Sequence, residues 1–286
     1  MGGRLNLLHA ILLGIIQGLT EFLPISSTAH LTLTGKLFGL IDPQHPESWT
    51  AFIAVIQLGT LAAVIIYFFR DVMTMITSFL SDLRQKGVAV THYSEKSRLG
   101  LYIVLGTLPV AIIGLSLKKI IEGMFTKSTL VIVASLVALA ALLWLAEKVA
   151  RHSRTMSDVR WWDALVIGVA QALALIPGSS RSGTTMTAGL FLGLAREAAA
   201  RFSFLLSIPA VLASGIYEMS KIQWDSFEFG TANLIVATIV SAVSGYAAIA
   251  WLLRYLMKNT TMVFVWYRFG LGILLTILLL RGLIEP

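Results

Sequence analysis

Gly14-Ile-Ile-Gln17-Gly-Leu-Thr-Glu21-Phe-Leu-Pro24-Ile-Ser26-Ser27-Thr28-Ala-His30 is one of two Ser-rich breaks in apolar stretches of this chain. The other is Gly168-Val-Ala-Gln171-Ala-Leu-Ala-Leu-Ile-Pro177-Gly178-Ser179-Ser180-Arg181-Ser182-Gly183-Thr184-Thr185. One carries an acid and an imidazole, the other a guanidinium. Ionisable groups are costly in hydrocarbon, so such residues are functional candidates by default. Proline and glycine stop a helix, and Ser/Thr side chains satisfy the backbone groups that are freed.

The surrounding chain sets the medium. Its 286 residues are 57% hydrophobic and only 13% charged, against roughly 25% charged in soluble domains. Its mean hydropathy is +0.82. This composition reads as an all-α integral membrane protein; a β-barrel would show short alternating segments instead. Six stretches approach the roughly 20 residues a crossing needs: about 51–69, 99–118, 128–147, 202–217, 232–256 and 262–280. The two broken regions, about 5–40 and 162–195, read as bent spans or re-entrant hairpins. Arg4 followed by Leu5 to Ile16 has the look of a signal peptide. No small-residue cleavage site follows, so the segment is expected to be retained. The chain has no cysteine, which excludes disulfides, thiolate metal sites and thiol nucleophiles.

Internal similarity chooses between the two readings of the breaks. Gly14 and Gln17 match Gly168 and Gln171. Pro24-x-Ser26-Ser27 matches Pro177-x-Ser179-Ser180 after a one-residue slip, and Gly35, Gly39 and Leu40 match Gly189, Gly193 and Leu194 at the original offset. The pattern reads as a duplication inside one membrane domain, 1–286. Repeat 1 is about 1–147 with hairpin 5–40; repeat 2 is about 160–286 with hairpin 162–195. Three spans per repeat is odd, so re-entrant hairpins require the second repeat to be inverted. The two hairpins would then meet near the midplane, a common polar-site architecture.

The basic residues agree with that arrangement. Segments 70–98, 148–161, 196–201 and 254–261 hold Arg70, Arg84, Lys86, Lys96, Arg98, Lys148, Arg151, Arg154, Arg160, Arg196, Arg201, Arg254 and Lys258. The opposite side holds Arg4, Lys36, Lys118, Lys119, Lys127, Lys221 and Arg281. The richer side is expected to be cytoplasmic, with both termini and the 39–50 loop outside. The net charge of +7 is therefore read as topology information, and no nucleic-acid partner is expected.

Arg181 is the sharpest single residue. A guanidinium binds phosphate oxygens bidentately, and the neighbouring glycines, hydroxyls and helix N-terminal amides suit a phosphate or diphosphate cradle. The structural alternative is an arginine that pairs with Glu21 and locks the hairpins together. Glu21 lies one turn beyond Gln17, so both can face the same way. It can ligate Mg²⁺ or Ca²⁺ or act as a general base, with Gln17 the weaker ligand. His30 is a candidate acid/base or phosphoryl acceptor, and Ser27 a candidate attacking hydroxyl. Whether Ser27, His30 or water attacks stays open. His9, His45, His92 and His152 lack such company. Trp161-Trp162 and Trp266-Tyr267 read as interfacial anchors, and Arg268 as a residue that snorkels or pairs.

At these residues the chain resembles the undecaprenyl-diphosphate phosphatase family of the bacitracin-resistance type. The resemblance runs through Gln17-Gly-Leu-Thr-Glu21 into Phe22-Leu-Pro24-Ile-Ser26-Ser27-Thr28-Ala-His30. It continues in Pro177-Gly-Ser-Ser-Arg181-Ser-Gly-Thr-Thr185, Phe52-Ile-Ala-Val-Ile-Gln57-Leu-Gly59, Phe202-Ser-Phe-Leu-Leu and Tyr267-Arg268-Phe269. It implies hydrolysis of undecaprenyl diphosphate to the monophosphate at the outer face of the bacterial plasma membrane, recycling the carrier for cell-wall synthesis. It implies a divalent cation and the active-site residues Glu21, Ser27, His30 and Arg181. Ser26, Thr28, Ser180, Ser182 and Thr185 would bind the diphosphate beside Arg181. Some members have an acid where this chain has Gln17, which leaves Glu21 as the only carboxylate of that motif. The partners expected are the polyprenyl diphosphate and membrane lipids, with a homodimer left open. The rival function is a polyprenyl-phosphate flippase, which needs Arg181 but not the Glu21/Ser27/His30 group.

Overall fold

A computed structural model describes residues 5–42, 44–122, 124–222, 224 and 229–285. Arg4 lies outside the described residues, as do the side chains of Lys118 and Glu122. The described chain is all α-helical, with twelve α-helices and short 3-10 turns. In order these are α1 (Leu7–Phe22), α2 (Ser27–Leu37), α3 (Pro46–Tyr67), α4 (Phe69–Lys86), α5 (Glu95–Ser116) and α6 (Lys118–Glu122). Then follow α7 (Thr129–Val149), α8 (Trp161–Ala172), α9 (Arg181–Phe191), α10 (Arg196–Met219), α11 (Thr231–Leu256) and α12 (Met262–Leu280). Six of them, α3, α5, α7, α10, α11 and α12, are long and apolar enough to cross a membrane. They are the six stretches expected from hydropathy.

The two broken regions each become a pair of short helices. At 1.5 Å per residue, the 16 residues of α1 span about 24 Å and the 11 of α2 about 16 Å. Neither covers a hydrocarbon core of roughly 30 Å. The break is made by the backbone at one serine in each pair. Ser26 has φ 77° and Ser180 has φ 70°, a left-handed conformation uncommon outside glycine. Each caps the helix that follows: Ser26 Oγ accepts from Ala29 N and Ser180 Oγ from Gly183 N. The ends match too. Gly39 (φ 63°) and Gly193 (φ 85°) terminate α2 and α9, and Leu40 N and Leu194 N donate back to Gly35 O and Gly189 O. Every one of these pairs stands at the offset of Gly14 from Gly168. The one-residue slip suggested by the prolines is therefore absent in three dimensions: Ser26 corresponds to Ser180, and Ser27 to Arg181.

Packing follows the same correspondence. The first short helix of each pair lies on a long helix of the other half, α1 on α11 and α8 on α5. Small residues allow the approach. A Cβ added at Gly14 would lie 2.6 Å from Ala237 O of α11, and one at Gly168 would overlap Gly106 of α5. The long helices interlock as well, α3 against α10 and α11, and α10 against α5. The largest buried cluster joins Phe22, Phe68, Phe202, Phe204, Leu252 and Phe264 around this crossing.

The two ends of the bundle are held by different polar contacts. At one end Arg201 pairs with Asp71, Arg196 with Glu147, and Arg154 with Asp163, while Thr261 Oγ1 donates to Glu147. Glu147 is thus buried and engaged through both carboxylate oxygens. At the other end Lys36 Nζ donates to Thr129, Lys127 Nζ to Thr50, and Asn233 Nδ2 to Leu5 O. The start of α1 and the end of α2 make their contacts at this second end. The start of α8 and the end of α9 meet at Arg154, which bonds Asp163 and Leu192 O.

Helix α4 occupies part of segment 70–98, which lies outside the six spans read from hydropathy. Its apolar residues are split between two faces. Met75 is buried, while Phe69, Met73, Ile76, Leu80 and Leu83 form an exposed stripe beside a polar face of Arg70, Thr74, Thr77, Ser81 and Arg84. That composition is too polar to cross and suits a helix lying along an interface. The turn into α5 is tied by Asp82, which accepts from Lys86 Nζ (2.5 Å), Ser97 Oγ (2.5 Å) and Ser94 N (2.8 Å). These bonds, the Lys86 ammonium first, hold the Asp82 carboxyl well below the usual carboxylate range.

Candidate active site

Glu21 lies in the last turn of α1, one residue before the helix ends at the first break. Arg181 is the first residue of α9, directly after the second break. The two breaks meet, and Arg181 Nη2 donates to Glu21 Oε1 at 2.9 Å, with side-chain exposures of 13% and 3%. The other carboxylate oxygen, Oε2, accepts from Ser27 Oγ at 2.6 Å and from Gln17 Nε2 at 3.0 Å. Four residues singled out in the sequence thus form one hydrogen-bonded cluster: Gln17, Glu21, Ser27 and Arg181.

The cluster is not saturated. Among the described residues, buried Arg181 Nε and Nη1 have no hydrogen-bond partner, and neither has Gln17 Oε1. Buried polar groups normally find partners. Nε and Nη1 point their N–H groups to different sides of the guanidinium, so each is a separate donor of a kind that suits an oxyanion, beside a hydroxyl that donates to a carboxylate. Across the break, Ser179 Oγ and both amide atoms of Gln171 are likewise buried without a partner.

The remaining hydroxyls are tied into the protein. Ser26 and Ser180 serve as the helix caps already described. Ser182 Oγ donates to Leu23 O at 3.0 Å, which joins the second break to the first, and lies 3.2 Å from Ser180 Oγ. Thr185 Oγ1 donates to Arg181 O at 2.7 Å and meets Ser203 Oγ at 2.6 Å. Thr28 sits half-buried in the first turn of α2. Ser26, Ser180, Ser182 and Thr185 thus already carry bonds of their own.

His30 stands one turn along α2 and does not touch Glu21 or Arg181 in this arrangement. Its Nδ1 lies 2.6 Å from Ser26 O and its Nε2 2.6 Å from Tyr267 Oη. The Tyr267 ring stacks on the imidazole, with centroids 5.7 Å apart and planes inclined by 15°. Tyr267 is half-exposed, and its hydroxyl meets the imidazole, a contact its sequence context did not suggest.

Arg268 is the residue that sequence reasoning misjudged. It neither snorkels nor pairs with a carboxylate; it is 0% exposed. Its guanidinium donates to Pro24 O of the first break and to Gly178 O and Ser179 O of the second. It also donates to Ser135 O and Leu136 O of α7. The breaks expose carbonyls that helices would otherwise satisfy, and one planar five-donor group collects them. Ser135 assists, since its Oγ donates to Pro177 O. The only signal in the sequence was an arginine inside an apolar span.

Among the described residues no three His, Asp or Glu side chains converge; at this site Glu21 and Gln17 offer side-chain oxygens that a cation could share. The buried, unpartnered Gln17 Oε1 fits that use. Hard cations of the Mg²⁺ type are commonly held by one or two protein oxygens together with substrate phosphates.

An all-α bundle with six membrane-length helices and a buried carboxylate–guanidinium pair between two capped helix breaks defines a multi-pass membrane protein with a polar centre. The family model described as bacitracin resistance protein BacA matches residues 10–274, and the chain belongs to that family. Among its relatives, undecaprenyl-diphosphatase of Syntrophobacter fumaroxidans is 57% identical over 272 residues, covering 94% of this chain and 95% of the relative. The Myxococcus xanthus undecaprenyl-diphosphatase is 51% identical, covering 99% of this chain and 92% of the relative. That of Chloroherpeton thalassium is 49% identical, covering 98% and 99%.

Proposed function

We propose that the protein hydrolyses undecaprenyl diphosphate to undecaprenyl phosphate and inorganic phosphate, the activity named in its relatives. The observation that carries a chemical role is the division of labour on Glu21. One oxygen holds Arg181 at 2.9 Å and the other receives the Ser27 hydroxyl at 2.6 Å. A nucleophile bonded to its base, with the base oriented by a third group, is the arrangement covalent catalysis needs.

The diphosphate accepts from the N–H groups that Arg181 keeps free of Glu21. Ser27 Oγ attacks its phosphorus as the hydroxyl proton passes to Glu21. The bond to the bridging oxygen breaks and undecaprenyl phosphate departs, leaving phosphoserine. Water then attacks the same phosphorus, giving up a proton to His30. Ser27 Oγ leaves and recovers its proton from Glu21, and inorganic phosphate is released. His30 returns its proton to solvent. Positioning and charge stabilisation supply most of the rate in such transfers. Glu21 and Gln17 Oε1 would hold a divalent cation, Mg²⁺ or Ca²⁺, whose charge offsets that of the diphosphate.

The polyprenyl tail lies in the membrane. The two short helix pairs act as re-entrant hairpins of an inverted repeat in the bacterial plasma membrane, with the site opening outward and both termini outside. Support comes from the matching caps, from the contacts of each hairpin's two ends, and from the basic segments gathered at one end. A cysteine at Ser48 in a chain that lacks native cysteine tests this: an impermeant thiol reagent added outside should label it. Labelling only from the cytoplasmic side would refute re-entrance.

Transport of the monophosphate is not favoured, because it has no use for an acid–hydroxyl pair. Detergent-purified protein with a divalent cation should release phosphate from undecaprenyl diphosphate although no transport gradient exists. No release would return the flippase to first place.

A further inference from the structure

Both ring nitrogens of His30 are already engaged, and the identity of their partners fixes which way each bond runs. Ser26 O accepts from the main-chain N of His30 at 3.3 Å and lies 2.6 Å from Nδ1. A carbonyl oxygen only accepts, so Nδ1 carries a hydrogen. In the neutral imidazole Nε2 is then the acceptor, and the hydroxyl 2.6 Å away on Tyr267 is its donor. The left-handed backbone at Ser26 belongs to the first break itself, so the break that places Ser27 also sets the tautomer of His30. The parallel stack of the two rings keeps the imidazole from turning away. Tyr267 in turn is anchored by its neighbour Arg268, whose guanidinium holds carbonyls of both breaks. The phenol is therefore positioned relative to the breaks themselves.

A proton can reach His30 only at Nε2, and Nε2 is covered by the Tyr267 hydroxyl. We propose that Tyr267 is the proton relay between the hydrolytic water and His30. This deepens the hydrolytic reading above and rests on it. As water attacks the phosphoserine, its proton moves to Tyr267 Oη while the phenolic proton moves to His30 Nε2. The phenol ends as it began, His30 becomes imidazolium, and the new P–O bond replaces the bond to Ser27 Oγ. The first step, proton transfer from Ser27 to Glu21, does not pass through Tyr267. The relay thus serves one half of the reaction only.

That asymmetry supplies the test. Tyr267→Phe keeps the stacked ring and removes the hydroxyl. In rapid-quench experiments with undecaprenyl diphosphate, the variant should release the first equivalent of undecaprenyl phosphate at the wild-type rate. Its release of inorganic phosphate should slow on the order of 10²-fold, the lower range for loss of acid–base assistance. Phosphoenzyme should accumulate. Replacing Tyr267 with 3-fluorotyrosine keeps the hydroxyl and the fold while acidifying the phenol, and should change phosphate release alone. Independently of turnover, ¹⁵N-histidine spectra should show Nδ1 protonated and Nε2 unprotonated in His30, with the Nε2 signal moving in Tyr267→Phe. Equal slowing of both steps, or unchanged phosphate release, would overturn the relay. If wild-type protein releases no phosphate at all, the hydrolytic reading fails instead.

Discussion

Ser26 and Ser180 are the same residue twice: each is left-handed, at φ 77° and 70°, and each caps the short helix it begins. The following residue then lands in the first turn of that helix, Ser27 in one half and Arg181 in the other. The same backbone conformation at both breaks thereby delivers a hydroxyl and a guanidinium to the two carboxylate oxygens of Glu21.

The caps should be measurable in stability. Ser180→Ala loses the bond to Gly183 N and keeps a side chain in the left-handed region, so it should cost about 1–2 kcal/mol. Ser180→Gly also loses the bond but relieves the backbone, and should cost only a few tenths of a kcal/mol. Thermal unfolding in detergent should therefore rank wild type and Gly above Ala, with the same order at Ser26. An alanine variant as stable as the glycine variant would contradict the strained-cap account.

Covalent trapping should find phosphate on Ser27. Substrate labelled in its terminal phosphate, quenched during the first turnover, should give a phosphoserine peptide containing residue 27. Ser27→Ala should abolish it and cut turnover by a factor of at least about 10³, since no other hydroxyl bonds Glu21. Label on His30, or full turnover without any phosphoenzyme, would point to another attacking atom.

Arg268 should be needed for folding. Its replacement by Met keeps bulk but leaves carbonyls of Pro24, Ser135, Leu136, Gly178 and Ser179 without their donor. Each unsatisfied buried group costs about 1–3 kcal/mol, so Arg268→Met should fail to yield stable protein or unfold far below wild type. Wild-type melting behaviour would show that the breaks are held by other means.

Much of this was legible before any coordinates. The six long spans follow from hydropathy, and the two breaks from Pro24 and Pro177-Gly178. The grouping of Gln17 with Glu21 follows from helical spacing. Three things were hidden for physical reasons. Helix α4 divides its apolar residues between protein and exterior, so its hydropathy never rises to that of a span. The alignment of the breaks was misread because the prolines are displaced by one residue while the capping serines are not; φ, which a sequence does not display, decides the match. The role of Arg268 depends on carbonyls set free elsewhere in the chain, at Pro24 and at Gly178–Ser179.

The turn from α4 to α5 should loosen in acid. The folded carboxyl of Asp82 titrates below the usual carboxylate range, so its contribution is complete above that range and is lost as pH falls through the folded value. Amide exchange over residues 87–94, corrected for its intrinsic pH dependence, should stay slow at neutral pH and rise only in strong acid. Asp82→Asn should raise it already at pH 7. Unchanged protection in that variant would remove Asp82 as the lock of the turn.

The central claim is that hydrolysis occurs where Arg181 meets Glu21, and phosphate release by purified Arg181→Ala measures it most directly. Removal of the guanidinium takes away the charged partner of Glu21 and the N–H groups proposed to receive the diphosphate. Release from undecaprenyl diphosphate should fall by a factor on the order of 10²–10³ or more, in a variant that still elutes as folded protein. Near-normal release from that variant would contradict the account.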